Sequence, residues 1–129
     1  MIGIVLVSHS APLADGLADM AQQITGDEVR VLAAGGGPDG TLGTDGGRIA
    51  AAIRSADSGD GVLVLVDLGS AVLSVRALLA DGDLEDVRVI LADAPLVEGA
   101  IAAAATASIG GDLEEAAASA REAWDVRKL

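Results

Sequence analysis

The chain has 129 residues, which predicts one domain over residues 1–129 with a single hydrophobic core. Its composition, 51% hydrophobic and 22% charged, excludes a disordered or low-complexity protein. The formal net charge of −12 argues against nucleic acid as a partner, because an acidic surface repels a phosphate backbone.

The absence of cysteine excludes disulfides, thiolate catalysis and cysteine-ligated metals. The first apolar stretch, Ile2–Val7, is shorter than the core of a signal peptide, and no apolar run approaches the roughly 20 residues that span a bilayer. We therefore expect a soluble, cytoplasmic protein without a membrane partner.

Four short apolar runs rich in β-branched residues are predicted to be strands. Their bounds are Ile2–Val7, Val29–Ala34, Val62–Asp67 and Val87–Asp93. Two of these runs are almost continuously apolar, which is typical of parallel strands covered on both faces.

The segments between the strands have the apolar spacing of helices. After the first strand, one face of the predicted helix carries Leu13, Leu17, Met20 and Ile24. Two helices over residues 96–108 and 113–126 follow the last strand, and Asp112 with Glu115 is spaced as a capping box for the second. This alternation predicts an α/β fold: an open, mainly parallel four-stranded sheet of order 2-1-3-4 with helices on both faces.

His9, the only histidine, directly follows the first predicted strand. Ser10 can cap the next helix and Pro12 suits its first turn, so the backbone donors of that helix would point into the space beside the imidazole. Because ligands gather at the carboxyl ends of parallel strands, His9 is a candidate reactive group. The alternative is a histidine that only satisfies a turn.

Asp67 follows the third predicted strand, which neighbours the first strand in the order 2-1-3-4. The two side chains would then face each other. A carboxylate that accepts the Nδ1 proton orients an imidazole and leaves Nε2 free as a nucleophile. Alternatively, Asp67 only caps the helix that begins near Gly69.

A loop with seven glycines, residues 33–47, follows the second strand. Its backbone amides could approach an anion or a partner closely, with Thr41 and Thr44 offering hydroxyls. It contains neither a P-loop nor a dinucleotide fingerprint, and Lys128 is the only lysine in the chain. A flexible connector is the alternative interpretation.

These residue types lack the cationic cradle of a self-sufficient kinase and the nucleophile elbow of a serine hydrolase. A magnesium site formed by carboxylates stays open, although its four candidates have no recognisable spacing: Asp15, Asp39, Asp45 and Asp67. A lone, oriented histidine beside helix N-termini fits a covalent phosphohistidine carrier. The rival hypothesis is a module that binds a small ligand or nucleotide in the same cleft without covalent chemistry.

Four motifs in one order support the first hypothesis. They are VSHS at residues 7–10, GGGPDGTLGT at 35–44, DLGSA at 67–71 and DAPLVEGA at 93–100. Over essentially the whole chain, the sequence resembles the DhaM-type phosphotransferase subunits of PEP-dependent dihydroxyacetone kinases. It is similar to the enzyme IIA domain of the mannose class of the sugar phosphotransferase system.

The resemblance implies that His9 takes a phosphoryl group from the phosphocarrier protein HPr and passes it to ADP on the nucleotide-binding subunit of the kinase. Asp67 matches the acid that pairs with this histidine. Gly69 and Ser70 match the turn that supplies donors to the phosphoryl group, with Thr44 as a further candidate. No metal or other cofactor is expected at His9, and a homodimer is expected. Mannose-class domains add a fifth, antiparallel strand that this sequence does not predict.

Overall fold

The computed structural model describes residues 1–129. Its strands are β1 (Gly3–Ser8), β2 (Val31–Gly35), β3 (Val62–Val66) and β4 (Val89–Leu91). Its helices are α1 (Ala11–Thr25), α2 (Gly46–Ala56), α3 (Gly69–Ala80), α4 (Leu96–Ser108) and α5 (Leu113–Glu122). The predicted order of elements is confirmed.

The fourth strand and the last helix differ most from their predicted lengths, each being four residues shorter. The fourth strand was expected over Val87–Asp93 but keeps only its central residues, since it pairs with β3 alone at the edge of the sheet. The last helix was expected to reach residue 126 but ends at Glu122, where a 3-10 turn, Ala123–Asp125, takes over. The capping box of Asp112 and Glu115 is present as predicted.

The sheet is parallel throughout, with four strands in the order β2-β1-β3-β4, which confirms the predicted topology. The register pairs Val7 of β1 with Val66 of β3 on one side and with Ala34 of β2 on the other. Because β1 and β3 end level with each other, the residues that follow them emerge side by side at the carboxyl edge.

The core lies on both faces of the sheet. On one face α1, α4 and α5 pack against alternate strand residues, and alanines supply much of the helical contact, including Ala100, Ala103 and Ala104. On the other face α2 and α3 cover the remaining strand residues with Ile49, Ile53 and further aliphatic side chains. Small residues let the helices approach the strands closely, which compensates for the near absence of aromatic side chains.

The apolar face predicted for α1 is only partly the buried one. Leu17 is buried, but Leu13, Met20 and Ile24 are 45–46% exposed. The buried positions are instead mainly alanines, because small side chains allow α1 to lie close to β2 and α4, which turns the larger side chains outward. None of the helices has the length and apolar composition needed to span a bilayer.

Candidate active site

The corner between β1 and α1 is held by its own polar groups. The hydroxyl of buried Ser8 accepts a hydrogen bond from the Ser10 backbone N–H at 3.0 Å and donates one to Asp67 Oδ2 at 2.9 Å. Ser10 Oγ in turn accepts the Leu13 N–H at 3.4 Å, so Ser10 caps α1 as expected, with Pro12 in the first turn. His9 sits between these two serines in a constrained backbone.

Asp67 contacts His9 through both carboxylate oxygens. Oδ1 lies 2.9 Å from His9 Nδ1, and Oδ2 accepts the His9 backbone N–H at 3.0 Å. The two side chains are 15% and 22% exposed respectively, so solvent weakens this contact only in part. The structure thus brings together the residues that were expected to face each other. Asp67 does not cap α3, whose N-cap is Leu68 without a side-chain hydrogen bond.

The carboxyl group of Asp67 has a lowered pKa. Burial is the largest influence and by itself raises this pKa. The hydrogen bonds from the His9 backbone and ring, the Ser8 hydroxyl and the Leu68 N–H together outweigh burial. Asp67 is therefore an anionic acceptor at neutral pH, so the Nδ1 nitrogen beside it carries the proton, and the neutral ring keeps its lone pair on Nε2.

The Nε2 side of the ring faces the start of α3. Ser70 Oγ lies 2.7 Å from Nε2, and with the proton on Nδ1 this contact is a hydrogen bond donated by the serine. The backbone N–H groups of Gly69 and Ser70 belong to the first turn of α3 and donate to no protein acceptor. The ring therefore faces the helix start that carries one hydroxyl donor and two backbone donors without protein partners.

Thr44 is not among these donors. Its hydroxyl lies 2.8 Å from that of Ser74, which donates a 3.2 Å hydrogen bond to the Ser70 carbonyl. The glycine loop is also tied to the site by the Gly43 N–H, which donates to the His9 carbonyl at 3.0 Å. The loop is thus attached on two sides, and Thr44 is placed against α3 rather than against the imidazole.

The four carboxylates left open as a magnesium site do not come together. The structure contains no group of three or more His, Cys, Asp or Glu side chains that could hold a metal ion. Asp45 instead caps α2, accepting the N–H groups of Gly47 and Arg48. The roles of Ser8 and Ser74 were not predicted from the sequence, although the VSHS motif contains Ser8.

This arrangement suits nucleophilic chemistry at Nε2. A carboxylate behind the ring stabilises the positive charge that develops as Nε2 forms a new bond. Donors in front of it can hold the oxygens of an anionic group such as a phosphoryl group.

The family of PTS system fructose IIA components, EIIA-man, matches residues 3–117 of the chain. A relative from Providencia stuartii is the phosphoryl donor subunit DhaM of a PEP-dependent dihydroxyacetone kinase. It is 41% identical over 133 aligned residues, which cover 99% of this chain and 28% of the relative. The corresponding DhaM subunit of a second kinase of Listeria innocua is 42% identical, covering 81% of this chain and 84% of the relative.

The chain therefore spans about a quarter of the length of some curated relatives and most of the length of others. Among solved structures, that of a protein of unknown function, EF1359, has a TM-score of 0.82 and 38% sequence identity to this chain. The match covers 95% of each of the two chains, so the likeness extends from β1 to the C-terminal helices.

Proposed function

The chain belongs to the EIIA-man family of PTS system fructose IIA components, and we propose that it is a phosphohistidine carrier. In this proposal His9 accepts a phosphoryl group from HPr and transfers it to ADP bound on the nucleotide-binding subunit of a dihydroxyacetone kinase. The chain would thus act as a phosphotransferase component. The names of the relatives, phosphoryl donor subunits of such kinases, support the direction of the transfer.

One observation carries the proposal: the 2.9 Å contact between His9 Nδ1 and Asp67 Oδ1, with Nε2 turned toward Ser70. A histidine that only satisfied a turn would need neither a half-buried carboxylate behind it nor a donor ahead of it. Both ring nitrogens are instead oriented, and the one that faces solvent is the nucleophilic one.

In the first step Nε2 attacks the phosphorus of the phosphohistidine on HPr. A new N–P bond forms while the donor's N–P bond breaks, and its electron pair returns to the donor's imidazole nitrogen. Asp67 stabilises the imidazolium character of His9, while Ser70 and the Gly69 N–H bind the phosphoryl oxygens. Ser70 Oγ, which lies 2.7 Å from Nε2, must first move away from that nitrogen.

In the second step an oxygen of the ADP β-phosphate attacks the phosphorus on His9. The N–P bond breaks and its electron pair returns to Nε2, which regenerates the neutral ring. Positioning and charge stabilisation carry both steps, because phosphoryl transfer demands little further covalent chemistry from the protein. The proposal also retains a homodimer as the working assembly.

The test is incubation with phosphorylated HPr, followed by detection of an acid-labile phosphoryl group. We expect a single labelled residue, His9, and no label in His9→Ala. The Ser10→Ala variant is the matched control, because it changes the same corner, keeps the histidine and is expected to be labelled.

Transfer that persists in His9→Ala would overturn the proposal. A module that senses a small ligand without covalent chemistry would give a different result. Its melting temperature would rise with ligand in both the native chain and His9→Ala, and no phosphoprotein would form.

A further inference from the structure

A cleft of about 520 Å³ opens beside Asp67, on the side of β3 that faces away from β1. α3 forms one wall, and the end of β4 with the C-terminal 3-10 turn forms the other. Leu68, Val72 and Leu91 give it an apolar lining, and its volume falls within the range of ligand and anchor pockets. The cleft shares Asp67 and Gly69 with the site at His9, but Val72, Arg76 and Trp124, which also line it, have no role in the proposed reaction.

Trp124 closes one side of the cleft and is the only aromatic residue of the chain. Its side chain is held in place, because Nε1 donates a 3.1 Å hydrogen bond to the Asp93 carbonyl. Even so, the residue remains 58% exposed, although an indole gains much from burial. The cleft thus presents a large, pre-oriented apolar surface that nothing in the chain covers.

Arg76 lines the same cleft and has no hydrogen bond or ion pair within the protein. It shares one face of α3 with Gly69 and Val72, at spacings of three and seven residues, and helical side chains lean toward the N-terminus. Arg76 therefore lies on the face of α3 that lines the cleft.

Most other cations of the chain are engaged in the structure. Five of the eight lysine and arginine residues bond to protein acceptors: Arg30, Arg48, Arg54, Arg88 and Lys128. A free guanidinium beside an apolar cleft, in a chain of net charge −12, offers a specific contact to an anionic group on a partner.

We propose that this cleft is a docking site for the subunit that receives the phosphoryl group from His9. That partner would place an apolar side chain against Trp124 and Val72, and a carboxylate on Arg76. Exposed tryptophan and arginine side chains are the types that most often anchor protein interfaces. The inference rests on the proposed function and deepens it by assigning the acceptor a surface.

The charge of the lining favours a protein over a free nucleotide as the occupant. Two acidic residues, Asp67 and Asp93, line the same cleft and disfavour a polyanion, whereas a single carboxylate paired with Arg76 is tolerated. The partner is assigned as the acceptor because the DhaM relatives are phosphoryl donor subunits of a kinase, which makes the kinase side the recipient.

The experiment measures binding of the acceptor subunit, loaded with ADP, by calorimetry on the full, unphosphorylated chain. We expect Arg76→Ala and Trp124→Ala each to weaken this affinity about tenfold, and Arg76→Lys to weaken it less. Arg30→Ala is the matched control, because it removes an equal charge at the amino edge of β2. The rate at which HPr phosphorylates His9 should remain unchanged in all of these variants.

Four outcomes would overturn the docking site. The first is an acceptor affinity that is unchanged in both Arg76→Ala and Trp124→Ala. The second is a rate of phosphorylation by HPr that falls as much as the acceptor affinity, which would assign the cleft to the donor. A change of oligomeric state in light scattering with unchanged acceptor affinity would assign it to a second copy. Binding of free ADP that is lost in Arg76→Ala would assign it to the nucleotide itself.

Failure of the carrier function is a separate result. It would appear as native chain that HPr cannot label, whatever calorimetry shows for the acceptor. A native chain that is labelled but binds no acceptor would instead leave the carrier function in place and remove the docking site.

Discussion

Two strand-to-helix corners meet at the carboxyl edge of the sheet, and they differ in how their polar groups are used. In the corner from β1 to α1, Ser8 and Ser10 bond to nearby backbone N–H groups, and Asp67 takes the N–H of His9. In the corner from β3 to α3, Leu68 is the N-cap and offers no side-chain acceptor to the helix.

The second corner is also open in space. A Cβ added at Gly69 would meet no atom within 4 Å, so an external group can reach the backbone there. The N–H groups of Gly69 and Ser70 thus remain available, although such groups are usually capped when they lie at a helix start. Free backbone donors at an accessible helix start are the kind of site that binds anions, as the proposed function requires.

One edge of the sheet therefore combines a rigid corner, from β1 to α1, with an accessible one, from β3 to α3. The closed corner holds His9 in place, since its backbone N–H, its carbonyl and both ring nitrogens each have a hydrogen-bond partner. In the proposed reaction, the donors of the open corner would bind the group that His9 receives. Asp67 joins the two corners, because its backbone follows β3 while its carboxylate bonds to His9.

Substitution of Asp67 is expected to have the largest effect, because it breaks the link between the corners. In Asp67→Asn the carboxylate charge is lost. Because the amide can present its nitrogen as well as its oxygen to Nδ1, the side chain no longer fixes the tautomer of the ring. We expect the rate of His9 phosphorylation to fall about 100-fold, as measured by rapid-quench labelling from HPr.

Asp93→Asn is the control for Asp67→Asn, because it removes one carboxylate from the same edge without touching His9. Its rate should stay near that of the native chain. If Asp67→Asn reacts within threefold of the native rate, the carboxylate does not orient the nucleophile.

The pairing of His9 with Asp67 could be predicted from the sequence because it depends on strand order alone. Once β1 and β3 are neighbours in a parallel sheet, their terminal residues must emerge together. The hydrogen bond between the hydroxyls of Thr44 and Ser74 could not be predicted, because it depends on the path of the glycine loop relative to α3. No local pattern specifies the path of a loop with seven glycines.

Side-chain size explains the other difference between prediction and structure. The large apolar residues dominate the hydrophobic pattern of α1. That pattern therefore placed Leu13 and Met20 on the same predicted face as Leu17. Burial in this fold follows close approach instead, and α1 buries Ala14 and Ala21 completely. A core built from alanine therefore weakens the signal on which helix orientation is predicted.

Ser70→Ala tests the open corner and should have a smaller effect than Asp67→Asn. The change removes one hydroxyl donor but leaves the two backbone N–H groups of the first turn of α3. We expect phosphorylation of His9 to slow about tenfold, the loss of one hydrogen bond to a charged group. Ser108→Ala, which removes a hydroxyl at the far end of α4, is the control. A rate unchanged by Ser70→Ala would mean that the backbone alone binds the phosphoryl oxygens.

Ser10→Ala tests the closed corner and should have the smallest effect on the rate. Ser10 Oγ caps α1 through a long contact of 3.4 Å with the Leu13 N–H, whereas the imidazole bonds to Asp67 and Ser70. We expect the free energy of unfolding, from urea titration, to fall by about 0.5 to 1 kcal/mol, with little change in phosphorylation. Ser10→Asn restores an acceptor at the same position without adding charge, so it should recover most of that stability. If Ser10→Ala instead slowed transfer as much as Ser70→Ala does, the two corners would share the work of binding the phosphoryl group.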